Sequence, residues 1–160
     1  MIIRAACAGD AAGICALWNP LIKDTATTFT TAPKTEAQIT ADISAREGAF
    51  FVAAQGDTVL GFATYFAFRS GPGYARTKEH SINLAPQARG SGAGRALMSA
   101  LELHAKCENI HSLWAGISSE NPAGVIFHER IGFKHIARLP EVGFKFDRWM
   151  DLILMQKILR

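Results

Sequence analysis

Cysteine is scarce in this chain, with three among 160 residues and no Cys-x-x-Cys pair. Cys7, Cys15 and Cys107 therefore fit neither a disulfide framework nor a thiolate zinc site, and three reduced thiols in a cytoplasmic protein are expected. No His, Asp and Glu set has ligand spacing, so no metal is expected. Long hydrophobic runs are missing too. None approaches the roughly 20 residues that span a bilayer, and no membrane association is expected. The opening Met1 to Cys7 lacks a basic segment followed by a long apolar one, and Asp10 interrupts it early, which argues against a secretory signal. Charge of one sign is limited to a net +3, with Lys and Arg scattered rather than striped. That excludes a nucleic-acid footprint and leaves room for a small anionic ligand. No repeat, linker or low-complexity tract divides the chain. With 49% hydrophobic and 19% charged residues, 1–160 is expected to be one α/β domain with a real core.

The hydrophobic pattern gives an order of elements. Residues 2–5 suit a short strand. Asp10 is placed to cap a helix whose apolar face is Ile14, Leu17, Trp18 and Leu21, with Pro20 ending its regular part. The Thr-rich stretch 25–31 reads as loop. Thr35-Glu36-Ala37-Gln38 has the capping-box form, ahead of a second helix facing inward through Ile39 and Ile43. Residues 49–55 and 58–68 flank Gly56-Asp57 as a hairpin. Residues 78–85 form a strand stopped by Pro86, and 92–106 a helix with Ala93, Leu97, Ala100, Leu101 and Ala105 on one face. A strand at 112–117, a short helix at 123–131 closed by Gly132, and strands at 133–139 and 150–159 complete the chain.

The richest stretch is Gln87-Ala88-Arg89-Gly90-Ser91-Gly92-Ala93-Gly94-Arg95. A strand enters a turn with glycines at alternate positions, and an amphipathic helix follows at once. Glycine lets backbone N–H groups approach an anion closely, and the helix N-terminus adds unpaired donors. Arg89 and Arg95 add charge, so a pyrophosphate is the natural guest. The lysine and hydroxyl of a P-loop are absent, and Gly-x-Gly-x-x-Gly counted from Gly90 fails at Arg95.

Gln87-x-x-Gly90-x-Gly92 resembles the pyrophosphate loop of the GCN5-related N-acetyltransferases. A second stretch, from Asn121-Pro122-Ala123 to Gly132-Phe133, looks like that family's other cofactor motif, and the order of elements agrees. Gly143, Lys145, Trp149 and Asp151 follow the Gly-x-Lys-x-x-x-Trp-x-Asp pattern of the phosphinothricin and methionine sulfoximine acetyltransferase branch. The resemblance implies a mixed, mostly antiparallel sheet of about seven strands with helices on both faces. It implies acetyl transfer from acetyl-CoA to the α-amino group of a small amino-acid analogue, and a homodimer; Leu152-Ile153-Leu154-Met155 would serve such a contact or the sheet core equally. It also assigns roles. Ile82, Asn83 and Leu84 would pair through their main chain with the pantetheine arm, although Asn83 stands where an aromatic is common. The loop from Gln87 to Arg95, with Ser91, Ala93 and Gly94, would hold the pyrophosphate, and Asn121 would bond the cofactor arm. Glu79 would hold or deprotonate the substrate ammonium. His128 stands where the superfamily usually has a Tyr that protonates the thiolate. Pro72, Gly73, Tyr74, Arg76, Thr77, Glu79 and Trp149 would contact the amino-acid substrate.

The residues alone leave other readings open. Glu79 would equally serve as an exposed edge-strand carboxylate paired with Lys78, with His80 as the base. His128 suits an ordinary solvent-facing helix position, Arg76 a plain surface charge, and Trp149 the core. Lys145 and Asp151 would serve as structural partners at a dimer interface. A protein N-terminal or lysine acetyltransferase, or a non-catalytic acyl-CoA-binding regulator, would use the same cofactor loop.

Overall fold

Alternation along the strands decides which side chains meet. The computed structural model describes residues 1–160 and begins with the strand Ile2–Ala5 (β1). Phe50–Gln55 (β2) and Thr58–Ala67 (β3) form the expected hairpin, Gln55 facing Thr58 across Gly56-Asp57. Phe50, Val52 and Phe62 project to one face and bury there with Ile14 and Ile39. Ala53, Ala63 and Tyr65 project to the other and bury with Leu97, Met98 and Leu101. Ala11–Asp24 (α1) and Glu36–Ala45 (α2) cover the first face; Ala93–Cys107 (α3) covers the second. Each fully buried Phe or Leu in these clusters contributes about 1.5–3 kcal/mol of apolar transfer. The remaining elements are Thr77–Leu84 (β4), Ser112–Ser118 (β5), Pro122–Arg130 (α4), Lys134–Lys145 (β6) and Arg148–Ile158 (β7).

The sheet order is β1-β2-β3-β4-β5-β7-β6, and every neighbouring pair is antiparallel except β4 with β5. A parallel pair requires a crossover, and α3 supplies it. That one pairing is short. It joins Thr77 to Ser112, Lys78 to Leu113 and Glu79 to Trp114, and then the strands part. Beyond Glu79, β4 keeps its bonds to β3 through Leu84 while its other edge is open.

The capping box at α2 is present: Gln38 N donates to Thr35 Oγ1, and Thr35 N to Gln38 Oε1. Gly132 closes α4 at φ +95°. Several expectations are corrected. Pro20 lies inside α1, which continues to Asp24. The Asp10 carboxylate does not cap α1; it accepts from Cys7 N and from both terminal nitrogens of Arg4. The strand expected to end at Leu139 runs to Lys145 across a bulge between Leu139 and Gly143. Of the two readings of Leu152 to Met155, the sheet is the one observed: they pair with β5 on one side and β6 on the other. Four exposed apolar side chains gather instead at the β6–β7 end: Val142, Phe144, Phe146 and Trp149.

Candidate active site

The glycine turn delivers the anion cradle. Gly90 and Gly92 hold φ +75° and +87°, a backbone shape costly for residues with a Cβ. The N–H groups of Gly90, Gly92, Gly94 and Arg95 have no intramolecular acceptor. Four free donors at the head of a 15-residue helix suit a phosphate group. Gly94 has a second reason to be glycine. A Cβ there would lie 3.0 Å from the Phe127 ring and 3.3 Å from Leu84 Cδ1, so α3 and α4 owe their close packing to it.

From the turn, a groove of about 410 Å³ runs along Ile82, Asn83 and Leu84 to Asn121, Gly124, Phe127 and His128, with Arg89 and Gly90 at the cradle end. It meets a smaller cavity of about 140 Å³ where β4 and β5 have parted, between residues 80–83 and 115–117. The five steps of strand from Glu79 to Leu84 make about 17 Å. An extended arm laid there would bond to the open edge of β4 as a strand would. Asn121 lines both spaces. Its Oδ1 accepts from Gly124 N as the cap of α4, which leaves the amide Nδ2 to donate to a ligand.

Glu79 stands at the fork, in an interior strand rather than at an edge. It makes no ion pair with Lys78, and no hydrogen bond occupies its carboxylate. Its Oε1 would lie 3.0 Å from a Cβ added at Gly116, a cavity-lining residue, so the missing side chain gives the carboxylate its place. Partial burial pushes the Glu79 carboxyl above its usual range, which suits a base working near neutrality.

His128 is not solvent-facing. It is 5% exposed, packed edge-on to Phe133, and paired with His80, itself 6% exposed. The two Nε2 atoms are 3.0 Å apart; His80 Nδ1 lies 2.9 Å from Trp114 O and His128 Nδ1 2.7 Å from Gly124 O. Carbonyls only accept, so three full hydrogen bonds need three protons, and a neutral pair carries two. Burial opposes the third, lowering both rings, His80 to about 3 with the neighbouring His128 adding to the effect. The neutral pair therefore completes only two of the three bonds, and both Nε2 atoms face each other rather than Glu79's side of the fork, so His80 is no free base at the substrate side.

The substrate residues expected from the sequence are scattered. Pro72, Gly73 and Tyr74 form an exposed turn before β4, and Arg76 is exposed, its carbonyl taking His111 N and Ser112 N. Thr77 opens β4, two residues from Glu79. Trp149 is neither core nor cavity wall. It is 59% exposed on the β6–β7 arm, 4.9 Å from Phe144 between ring centroids. Lys145 and Asp151 are not partners of each other. Lys145 donates to backbone carbonyls at the end of α1 and in the α1–α2 connection, and Asp151 accepts from Arg138 and from Glu141 N. Trp18, Thr27 and Thr28 line the cavity and carried no signal, because nothing in their spacing links them to residues 80–83.

Known proteins resemble this chain in sequence and in fold. The family model described as the Acetyltransferase (GNAT) family matches residues 17–133. An L-methionine sulfoximine/L-methionine sulfone acetyltransferase of Pseudomonas aeruginosa is 36% identical over 158 residues, covering 96% of this chain and 92% of that protein. A crystal structure described as a phosphinothricin acetyltransferase from Sinorhizobium meliloti in complex with acetyl-CoA superposes with a TM-score of 0.91 at 30% identity, covering 99% of this chain and 88% of that one. One described as a ribosomal-protein-alanine N-acetyltransferase from Brucella melitensis superposes at 0.93 with 33% identity, covering 99% and 100%.

Proposed function

The chain belongs to the GNAT acetyltransferase family, and from that premise we propose that it acetylates the α-amino group of a small amino-acid analogue such as methionine sulfoximine, methionine sulfone or phosphinothricin, using acetyl-CoA. The observation that carries this reading is the fork: a free, half-buried carboxylate where β4 leaves β5, with an open strand edge running from it to four free N–H groups. The names borne by the relatives support the substrate class.

Acetyl-CoA supplies an activated acyl group as a thioester; the rest falls to this chain. The cradle from Gln87 to Arg95 binds the pyrophosphate, the main chain of residues 82–84 aligns the arm, and Asn121 Nδ2 donates to it. An ammonium becoming an amide gives up two protons, of which one goes to the thiolate and one to solvent. Glu79 takes the first, freeing the nitrogen lone pair for attack. A main-chain N–H of β4 stabilises the developing oxyanion. The proton for the thiolate is assigned to His128: the neutral His80–His128 pair takes up the second proton that the nitrogen releases and passes it on, holding it only in transit. No covalent enzyme intermediate enters, since none of the cysteines lines the fork. The exposed turn Pro72–Tyr74 with Arg76 and Thr77 is assigned to the substrate's acidic end, where a guanidinium offers two parallel donors.

Residues 1–160 act as one N-acetyltransferase domain in this reading. The apolar surface of Val142, Phe144, Phe146 and Trp149 supports a homodimer. Three free thiols support a cytoplasmic setting, and no helix is long and apolar enough to cross a membrane.

The likeness to the ribosomal-protein-alanine enzyme favours protein N-termini as the second reading. Release of CoA thiol separates the possibilities, measured with the three amino-acid analogues and with a peptide beginning in alanine. The expected result is a kcat/KM at least about tenfold higher for one of the analogues. A preference for the peptide would install the second reading. Bound acetyl-CoA with no thiol released from any amine would make the chain a regulator.

A further inference from the structure

Lys145 is 4% exposed, yet no carboxylate stands within ion-pair distance of it. Its three N–H groups are taken by three backbone carbonyls: Ile22 at 2.5 Å, Thr25 at 2.7 Å and Thr28 at 2.9 Å. Desolvation pulls its pKa down; the carbonyls at the end of α1, with the helix dipole behind them, favour the cation. An ammonium offers three donors on a compact head, and all three are used. The side chain reaches across more than a hundred residues of sequence to grip the segment between α1 and α2.

Gly143, two residues away on the same face of β6, grips the same segment independently. A Cβ there would overlap three atoms of the Phe29 ring, Cγ, Cδ2 and Cε2. The glycine is a seat for Phe29. Asp151 fixes which residues of β6 face inward. Between Leu139 and Gly143 the strand bulges opposite β7, and the Asp151 carboxylate takes Glu141 N at 2.9 Å and Arg138 Nε at 2.7 Å across that bulge. With the bulge fixed, Gly143 and Lys145 turn inward, while Val142, Phe144 and Phe146 turn outward. The held segment carries Thr27 and Thr28 into the cavity beside Gly116 and Asn83, and Thr27 into the cofactor groove.

We propose that Lys145 and Gly143 moor the 25–31 segment as the substrate-side wall of the acetyl site, making Lys145 a positioning residue that sets how the amine is held. The proposal rests on the acetyltransferase reading for its kinetic consequence and on geometry alone for the mooring. Within the Gly-x-Lys-x-x-x-Trp-x-Asp pattern, Gly143 is then the seat, Lys145 the clamp and Asp151 the group that sets the register. Trp149 lies outward, on the face of β7 that Asp151 shares, and holds nothing in the segment.

Two measurements test it, on the full chain. Hydrogen exchange reads the mooring without any activity. In Lys145→Met, exchange of the Thr25 and Thr27 amides, which donate to Leu21 O and Thr25 Oγ1, should accelerate at least about tenfold while β2 and β3 stay protected. Steady-state kinetics reads the wall. The KM for the preferred amine should rise at least about tenfold, and clearly more than the KM for acetyl-CoA, whose groove meets the segment only at Thr27. Lys145→Arg should not restore either value, because a planar guanidinium cannot aim three donors at carbonyls converging on one point. Gly143→Ala should give the same signature through Phe29, and adding Phe29→Leu should reverse it, a rescue that general loss of stability would not produce. Unchanged exchange in both single variants overturns the mooring. Equal rises in both KM values, or an unchanged amine KM, overturn the wall. If Lys145→Met does not fold, Gly143→Ala and its rescue decide by the same readouts. If the wild-type chain releases thiol from no amine, the function reading fails while the exchange result still decides the mooring.

Discussion

Acid should destabilise this protein through His80 before its carboxylates titrate. The ring sits between Phe133 and His128 with both nitrogens bonded. Burial moves its pKa from 6.5 in an unfolded chain to about 3. A lowered folded value means that the unfolded chain binds more protons below pH 6.5, so stability is complete above that pH and is lost as the pH falls toward the folded value. Between pH 8 and pH 5 the loss from this group works out at about 2 kcal/mol, and any folded value under about 4 gives nearly the same figure because the window closes above it. For a chain of this size that is a fall in Tm of roughly 4–8 °C. His128, lowered in the same direction, adds to the effect; Glu79, raised by burial, works against it as it takes up its proton. His80→Asn isolates the contribution, since the Asn amide can still donate to Trp114 O without titrating. Thermal unfolding of both proteins at unit pH steps from 8 to 5 is the assay. The variant should start less stable and lose less, with the two curves converging by about 2 kcal/mol. Parallel curves would refute a neutral buried ring at this position.

Glu79→Gln keeps the shape of the side chain and removes its charge. Acetyl-CoA binding by calorimetry should stay within about twofold, while amine turnover falls about 10²-fold. A loss in kcat that flattens the acid limb of the pH–rate profile marks a base, and a loss in KM marks an electrostatic clamp; wild-type kinetics would remove Glu79 from both roles. For assembly, sedimentation at micromolar concentration should find twice the 17.3 kDa chain mass, and Phe144→Glu with Trp149→Glu should return the monomer. A monomer in the unaltered protein would leave that apolar face unexplained by self-association.

Local patterns were legible in the sequence because their causes are local. The capping box at Thr35, the hairpin at Gly56-Asp57, the glycine turn from Gly90 to Gly94 and the closing Gly132 each depend on φ angles and hydrogen bonds within a few residues. The period of α3 marked the face it would bury, and the two cofactor motifs, with the order of elements along the chain, carried the family. Pro20 misled because a proline in a helix costs one hydrogen bond, which packing of the surrounding turns can offset.

Tertiary structure decided the rest. Glu79 became a free carboxylate rather than a partner of Lys78 because β4 lies inside the sheet and its pairing with β5 ends there. His128 became a buried ring because His80, 48 positions earlier, faces it across the split. Lys145 became a clamp because the β6 bulge turns it toward α1. Helical and strand periods record which face of an element is apolar, and a motif records what a few neighbouring atoms can hold. Which polar group meets which across the sheet follows from strand order, register and bulges, and those are properties of the whole packed chain.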